Sequence, residues 1–286
     1  MPSAASPRFS RIVRLFGFGL AFATSTIACA SPANAAPPAE DAADAGAPDA
    51  GSLRTDVPPG GNFDLSHWSL DEPIGVPGAP VVIPASALAG PSGFHDAYFF
   101  TDPVDGAMTF WAPESGVSWA GSRFPRTELA ERVDDGSRAN WLVNGTHVLA
   151  ATVAVVTVPD HVCVGQIHAF HPVDPTQPSG PPLLELYYYS GGMVVLGLED
   201  SPAGGQTPHV LGNVSPTDPF RYEIELTGDG TITVTLDGDA STFRMPEAFR
   251  GYGMYFKAGD YDQTVGSDET VGAKVKFYAL TFRHSP

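Results

Sequence analysis

The sequence predicts an all-β fold, a sandwich or jelly roll built from two antiparallel sheets. Three observations carry this. Short runs rich in Val, Ile, Tyr and Phe dominate from about residue 62 onward. Turns rich in Gly, Pro, Asp and Asn cut these runs at close intervals. Helical periodicity is scarce, and no internal repeat is present. In such a fold the curved inner face of one sheet offers a concave binding groove.

Along the chain, residues 1–35 have the form of an export signal. Arg8, Arg11 and Arg14 give a positive start, an apolar stretch runs from Leu15 to about Ala30, and Ala33-Asn34-Ala35 offers a small-x-small cleavage site. The apolar stretch is too short and interrupted for a membrane span. The expectation is therefore a secreted protein, extracellular or periplasmic, with no transmembrane span. Cys29, after Thr26-Ile27-Ala28, stands as an alternative lipid-acylation site, although Thr26 is a poor residue at that place. Residues 36–61 are mostly Ala, Pro, Asp and Gly without apolar periodicity, which predicts a flexible linker. Residues 62–286 then form one catalytic domain, long enough for a sizeable core.

Within that domain Ala150–Val158 is a β-branched run ending at Pro159. Leu183–Tyr189 and Met193–Leu198 flank Ser190-Gly191-Gly192 as a hairpin, and Arg221–Leu226 and Thr231–Leu236 flank Gly228-Asp229-Gly230 as another. Lys274–Arg283 alternates cleanly as the last strand. With the signal removed, Cys163 is the one cysteine left; no intramolecular disulfide can form, and the residue reads as a small buried apolar group.

The formal charge is −17 and becomes −20 once the three signal arginines are removed. Nucleic-acid binding, which needs a basic footprint, is excluded. The basic residues are nevertheless concentrated: Arg123, Arg126, Arg132 and Arg138 lie close together, and Lys257 joins them from a later strand. A local positive cleft in an acidic protein can still attract an anion.

Three distant segments carry polar residues at every second position: Arg126–Arg132, Gln166–His168 and Tyr255–Gln263. Alternate strand residues share a face, so Arg126, Glu128, Gln166, His168, Lys257, Gly259, Tyr261 and Gln263 can line one surface. Together they suit proton abstraction beside a carboxylate. A permanently charged guanidinium and an amide can neutralise the carboxylate. An imidazole titrating near neutrality suits a base, and a phenol suits an acid. Singly, each is a weak signal, since a strand His, Tyr or Arg more often packs or pairs at a surface. Their shared strand phase is what argues for a site.

These segments resemble the three signature regions of polysaccharide lyase family 7, the alginate lyases, in the same order. They stand here as Arg126-Thr127-Glu128-Leu129-Ala130, Gln166-Ile167-His168 and Tyr255-Phe256-Lys257-Ala258-Gly259-Asp260-Tyr261-Asp262-Gln263. Phe63–Trp68, Pro73-Ile74-Gly75 and Asp105–Pro113 resemble further family segments, so the likeness runs from about Phe63 to Arg283. The resemblance implies a β-jelly roll and β-elimination of 1,4-linked uronates without metal or other cofactor. It implies Arg126 and Gln166 as carboxylate neutralisers, His168 as base and Tyr261 as acid, with Tyr261 serving both functions on mannuronate. Glu128, Arg132, Lys257 and Gln263 are expected as substrate contacts. Ile167 leans the preference towards guluronate-containing blocks, and an endo-acting monomer on an acidic polysaccharide is expected. One position departs from the pattern: Ala130 stands where the family carries a second arginine, and Arg132 has the phase to compensate.

Rival readings are weaker. A lyase for another polyuronate such as glucuronan shares the same chemistry. A glycoside hydrolase needs two carboxyl groups about 5–9.5 Å apart; Glu223 and Glu225 share a strand face but read as solvated. A non-catalytic carbohydrate-binding module would use Trp68, Trp111, Trp119 or Trp141 for stacking, yet it needs no base. His161, His168 and His171 lack the partners of a zinc set.

Overall fold

The computed structural model describes residues 52–172 and 180–286. The expected signal, Cys29 and the linker as far as residue 51 lie outside the described residues. In chain order the strands are β1 (Trp68–Val76), β2 (Ala79–Ile83), β3 (Phe99–Thr101), β4 (Met108–Pro113), β5 (Arg126–Glu131), β6 (Thr146–Thr157), β7 (His161–Pro172) and β8 (Pro182–Tyr189). They continue as β9 (Met193–Glu199), β10 (Gln206–Asn213), β11 (Phe220–Thr227), β12 (Thr231–Leu236), β13 (Asp239–Arg244), β14 (Tyr252–Asp262) and β15 (Gly272–Ser285).

Two antiparallel sheets result, and they form the jelly roll expected from the sequence. One has eight strands in the order β10-β9-β8-β7-β14-β5-β1-β2, the other seven in the order β13-β12-β11-β6-β15-β4-β3. Both expected hairpins form, with Leu184 opposite Leu198 and Tyr222 opposite Leu236. The last strand, β15, lies between β6 and β4 inside its sheet.

Alternation explains how the layers meet. In β11 and β12 every second residue is buried, so Tyr222, Ile224, Ile232 and Val234 face the other sheet. Leu129, Ile167, Leu184, Phe256 and Ala258 meet them from the eight-stranded sheet in one continuous core. The Tyr222 hydroxyl crosses the gap and donates to the Val164 carbonyl at 2.9 Å. Gly165 permits that approach, because a Cβ there would come within 2.8 Å of the Tyr222 oxygen. Leu129, Ile167 and Phe256 thus anchor the strands whose opposite faces hold Arg126, Gln166, His168 and Lys257.

The domain reaches further towards the N-terminus than its composition predicts. Val57 and Pro59 are buried and Leu53 packs on the core. The Asn62 amide donates to the carbonyls of Arg54 at 2.8 Å and Gly106 at 3.1 Å. Residues 52–61 therefore belong with the domain rather than with the linker. Two isolated apolar side chains among prolines and glycines leave no periodic trace, which is why the sequence does not reveal them.

Candidate active site

Strands β7, β14 and β5 lie side by side, and their register assembles the site. Arg126 sits opposite Tyr261, Lys257 opposite Gln166, and Tyr255 opposite His168. A cavity of about 890 Å³ covers this face, lined by Arg126, Gln166, His168, Lys257, Tyr261 and Gln263. Residues 119–124 wall one side and Phe170, Pro181 and Pro182 another. Gly259, at φ +147°, sits in a bulge between Ala258 and Tyr261. A side chain at Gly259 would meet the Thr127 carbonyl oxygen at 2.8 Å, so glycine lets the strand bend where Tyr261 turns towards the groove.

Glu128 has the right strand phase but is fully buried and lies outside the cavity lining. Arg126 donates to it at 3.1 Å, Lys257 pairs with the same oxygen, and Gln166 Nε2 donates to its other oxygen. Three long donors converge over one short acceptor and cover it. Glu128 therefore holds the groove floor together and is not the expected substrate contact. It also fixes the Gln166 amide, since only the NH2 end can face a carboxylate. One N–H of that amide remains uncommitted, and Gln166 Oε1 and Arg126 Nε are buried without a partner among the described residues.

Two buried carboxylates, Glu128 and Asp71, stand against the two cations of the floor. Burial and the Arg126 charge push the Lys257 ammonium below its ordinary value, against the pull of Glu128 and of Asp71 at 3.8 Å. His168 is half-buried and stacks on Tyr255 with ring centroids 5.1 Å apart. Its Nδ1–H donates to the Ala169 carbonyl at 2.6 Å, which leaves Nε2 as the nitrogen with a free lone pair. Burial, then the charges of Lys257, Arg126 and Arg138, hold the imidazole down to about 3. The ring is therefore neutral at ordinary pH.

Tyr261 lies beneath the Arg126 guanidinium, and its hydroxyl is 3.1 Å from Ser122 Oγ, which also accepts from Arg126 Nη2 at 3.1 Å. Burial raises the phenol above its ordinary value, although Arg126 and Ser122 oppose it. It stays protonated and can donate. The site thus sets a neutral imidazole with a bare nitrogen and a protonated phenol beside the Arg126 and Lys257 cations, the complement needed to move a proton off carbon beside a carboxylate.

Arg132 is the second departure from expectation. Strand β5 ends at Glu131, and Arg132 just beyond it forms an isolated bridge with Arg138. Arg132 donates to Ser69 Oγ at 2.7 Å and lines a separate depression with Ser66 and Asp134. Ala130, packed under Ala139 and Tyr255, therefore receives no compensation from Arg132. Arg138 enters the main cavity instead.

Some lining residues escaped the sequence reading. Ser122 comes from a loop, and Glu185 reaches the site by pairing opposite Gln166. Glu185 accepts from the Tyr187 hydroxyl at 2.6 Å and from Gln206 at 3.1 Å, and burial raises its carboxyl. Tyr255 was signalled by sharing parity with Lys257 and Tyr261. Cys163 is buried and its thiol is pushed well up, so it is no nucleophile. Glu223 and Glu225 stand on β11 of the other sheet, away from the groove. His161 and His171 lie within the ends of β7.

Comparison with known proteins supplies the remaining finding. A family model described as alginate lyase matches residues 63–284. An alginate lyase from Klebsiella pneumoniae is 28% identical over 291 residues, covering 81% of this chain and 93% of its own. Among solved structures, alginate lyase A1-II′, a member of polysaccharide lyase family 7, matches at a TM-score of 0.70 with 33% identity. That match covers 80% of this chain and 99% of the other. An alginate lyase from Pseudomonas aeruginosa matches at a TM-score of 0.70 with 30% identity, covering 78% of this chain and 100% of its own. Variants of A1-II′ have been solved with a product described as GGG and a substrate described as GGMG.

Proposed function

The chain belongs to polysaccharide lyase family 7, the alginate lyases, and from that premise we propose a β-elimination in which four side chains share the work. Arg126 and the uncommitted N–H of Gln166 hold the carboxylate of the reacting uronate, so that negative charge can flow onto it when the C5 proton leaves. His168 Nε2 takes that proton. The C5–H electrons form the C4–C5 double bond, the C4–O bond breaks, and Tyr261 gives its phenolic proton to the departing oxygen. The products are a 4,5-unsaturated uronate end and a new reducing end; exchange with water then restores both proton carriers.

The observation that carries this reading is the tautomer of His168. With Nδ1–H held by the Ala169 carbonyl, the lone pair belongs to Nε2. A base held near 3 is weak in the free protein. Substrate carboxylates bring negative charge beside Lys257 and Arg126, which offsets the part of the depression that comes from those charges, burial being the larger part.

The same electrostatics support the lean towards guluronate-containing blocks. Elimination from mannuronate asks Tyr261 to be base as well as acid, and a phenol raised above its ordinary value is poorly placed for that. Ile167 points into the core and acts on no sugar directly. A groove of about 890 Å³ has room for more than one sugar ring, being near the top of the roughly 300–1,000 Å³ range of ligand sites, and this supports internal cleavage. Export through residues 1–35, with Cys29 as an alternative anchor, completes the proposal.

The deciding experiment incubates purified protein with alginate, its separated block types and glucuronan, following the absorbance of the new C4–C5 double bond. Fastest growth of that absorbance on guluronate-rich alginate is the expected result. Reducing ends without it would mean hydrolysis, and binding without product a carbohydrate-binding module. His168→Ala and Tyr261→Phe should each lower kcat by at least ~10²; near-normal turnover in either would remove that residue from its role.

A further inference from the structure

We infer that Arg138 is a second carboxylate-binding group of the groove, engaging a uronate other than the one held at Arg126. The inference rests on the reading of the groove as a polyuronate site and deepens it. Arg138 lies outside the three strand segments. Beyond β5 the chain turns through residues 133–137, and the Ala139 N–H then donates to the Glu131 carbonyl at 3.2 Å. This return sets Arg138 beside Arg132 and delivers its side chain, half-buried, into the cavity that holds His168 and Lys257.

The surroundings of Arg138 differ from those of the other groove cations. Arg126 and Lys257 both pair with Glu128. Arg138 has no carboxylate within ion-pair distance among the described residues. Its guanidinium carbon lies 4.9 Å from the centre of the Tyr255 ring and 5.1 Å from that of Phe170, and Nη1 donates to the Tyr255 hydroxyl at 3.3 Å. Two aromatic faces fix the planar group while most of its N–H donors remain free. A guanidinium held flat with unused donors in a fork is matched to a carboxylate. In a chain of formal charge −17, a cation left without a carboxylate partner in the main cavity calls for an anionic ligand.

Position indicates that this anion belongs to a different sugar. Arg126 sits at Tyr261 and Arg138 at Tyr255, six residues apart on β14. At the usual strand rise the β14 positions they meet are about 20 Å apart, so the two guanidiniums are mounted at different points along the groove, with His168 within reach of both charges. On β5 itself Ala130, opposite Lys257, offers only a methyl packed with Ala139 and Tyr255. The turn after β5 brings the charge that Ala130 lacks.

The test uses the full chain. Arg138→Met keeps an apolar stem against the rings and removes the charge; Arg138→Lys keeps the charge and loses the fork. On polymeric alginate, Arg138→Met should raise KM about tenfold, a larger change than in kcat, with Arg138→Lys in between. The KM of Arg138→Met should also depend less steeply on salt. A parallel arm measures binding of a short oligouronate by Tyr261→Phe with and without Arg138→Met, where an affinity loss of about tenfold is expected. Unchanged KM and unchanged affinity, in variants that unfold at the wild-type temperature, would overturn the inference. If the protein forms no unsaturated product from any uronan, the lyase reading fails, and the binding arm still decides whether Arg138 holds a carboxylate.

Discussion

The guanidinium carbon of Arg126 lies 3.7 Å from the centre of the Tyr261 ring, and Ser122 joins the two from the side. The group proposed to neutralise the substrate carboxylate is thus in direct contact with the group proposed to protonate the leaving oxygen. Ser122 Oγ accepts from Arg126 Nη2–H, and its own hydrogen can go to the Tyr261 oxygen at 3.1 Å, a shorter contact than the 3.4 Å to the Phe124 carbonyl. Arg126 and Ser122 both favour the phenolate and so lower the phenol's pKa, although burial keeps it raised.

Ser122→Ala tests that link. With one of the two lowering influences gone, the phenol should hold its proton to still higher pH. An acid catalyst loses activity as pH rises through its pKa, so the alkaline limb of the kcat profile should move upward. At neutral pH kcat should fall on the order of tenfold, the scale of a hydrogen bond in a charged network, with little change in KM. A kcat profile that superposes on the wild type would show that Ser122 does not act on Tyr261.

The depressed imidazole makes two statements about pH. In the free protein His168 is held at about 3 and in an unfolded chain near 6.5, so between those values the unfolded chain binds the extra proton. Stability should therefore fall as pH drops from about 6.5 towards 3, and His168→Ala should flatten that slope. Lys257 is the largest charge acting on the ring, so Lys257→Met should move the His168 titration upward. Two-dimensional NMR of the imidazole resonances reads both. A wild-type His168 titrating near 6.5 would contradict the electrostatic account.

Glu128 makes a third case. It is fully buried and is the carboxylate shared by Arg126, Lys257 and Gln166. Glu128→Gln preserves shape and leaves two buried cations with too little countercharge, which should cost about 3–5 kcal/mol. Lys257 can escape by losing its proton, since burial already pushes it below 10.5 and the variant removes the main opposing pull. The unfolded lysine would then bind more protons than the folded one. The variant should accordingly regain stability as pH rises towards 10, as followed by urea unfolding. Wild-type stability at pH 7 would mean that Glu128 is not the counter-ion of the floor.

These residues also show how far the sequence can be read. Arg126, Gln166, His168, Lys257, Tyr261 and Gln263 were legible because a strand repeats every two residues, and that parity survives folding. Parity gives a face and not a depth, so Glu128 was read as a substrate contact although longer neighbours cover it. Nor does it show what a side chain reaches, and Arg132 turns to Ser69 in a separate depression. Glu185 depends on the register of β7 against β8, and Ser122 and Arg138 arrive from loops, which no periodicity describes. The two-sheet fold was legible for the same reason as the site, through alternation and glycine turns.

The last strand is tied down by a chain of polar contacts that runs from buried His147 through exposed His284 to buried Glu131. His147 Nε2 lies 2.8 Å from the Asn144 carbonyl and must donate to it. Burial and His284 lower His147, so its Nδ1 carries a lone pair and accepts from His284 Nδ1 at 2.7 Å. His284 Nε2 lies 2.9 Å from Glu131, whose other oxygen accepts from the Trp141 indole and the Phe256 amide. His284 thus spans the two sheets, with Nδ1 facing His147 and Nε2 facing Glu131. His284→Phe keeps the stacking on Phe256, now 8° from parallel, and removes both ring nitrogens; it should cost roughly 1–3 kcal/mol for the stranded acceptors. His284→Gln retains a donor and should cost less. Urea unfolding at pH 7 ranks the two, and the reverse order would mean that ring stacking, rather than the polar chain, holds β15 in place.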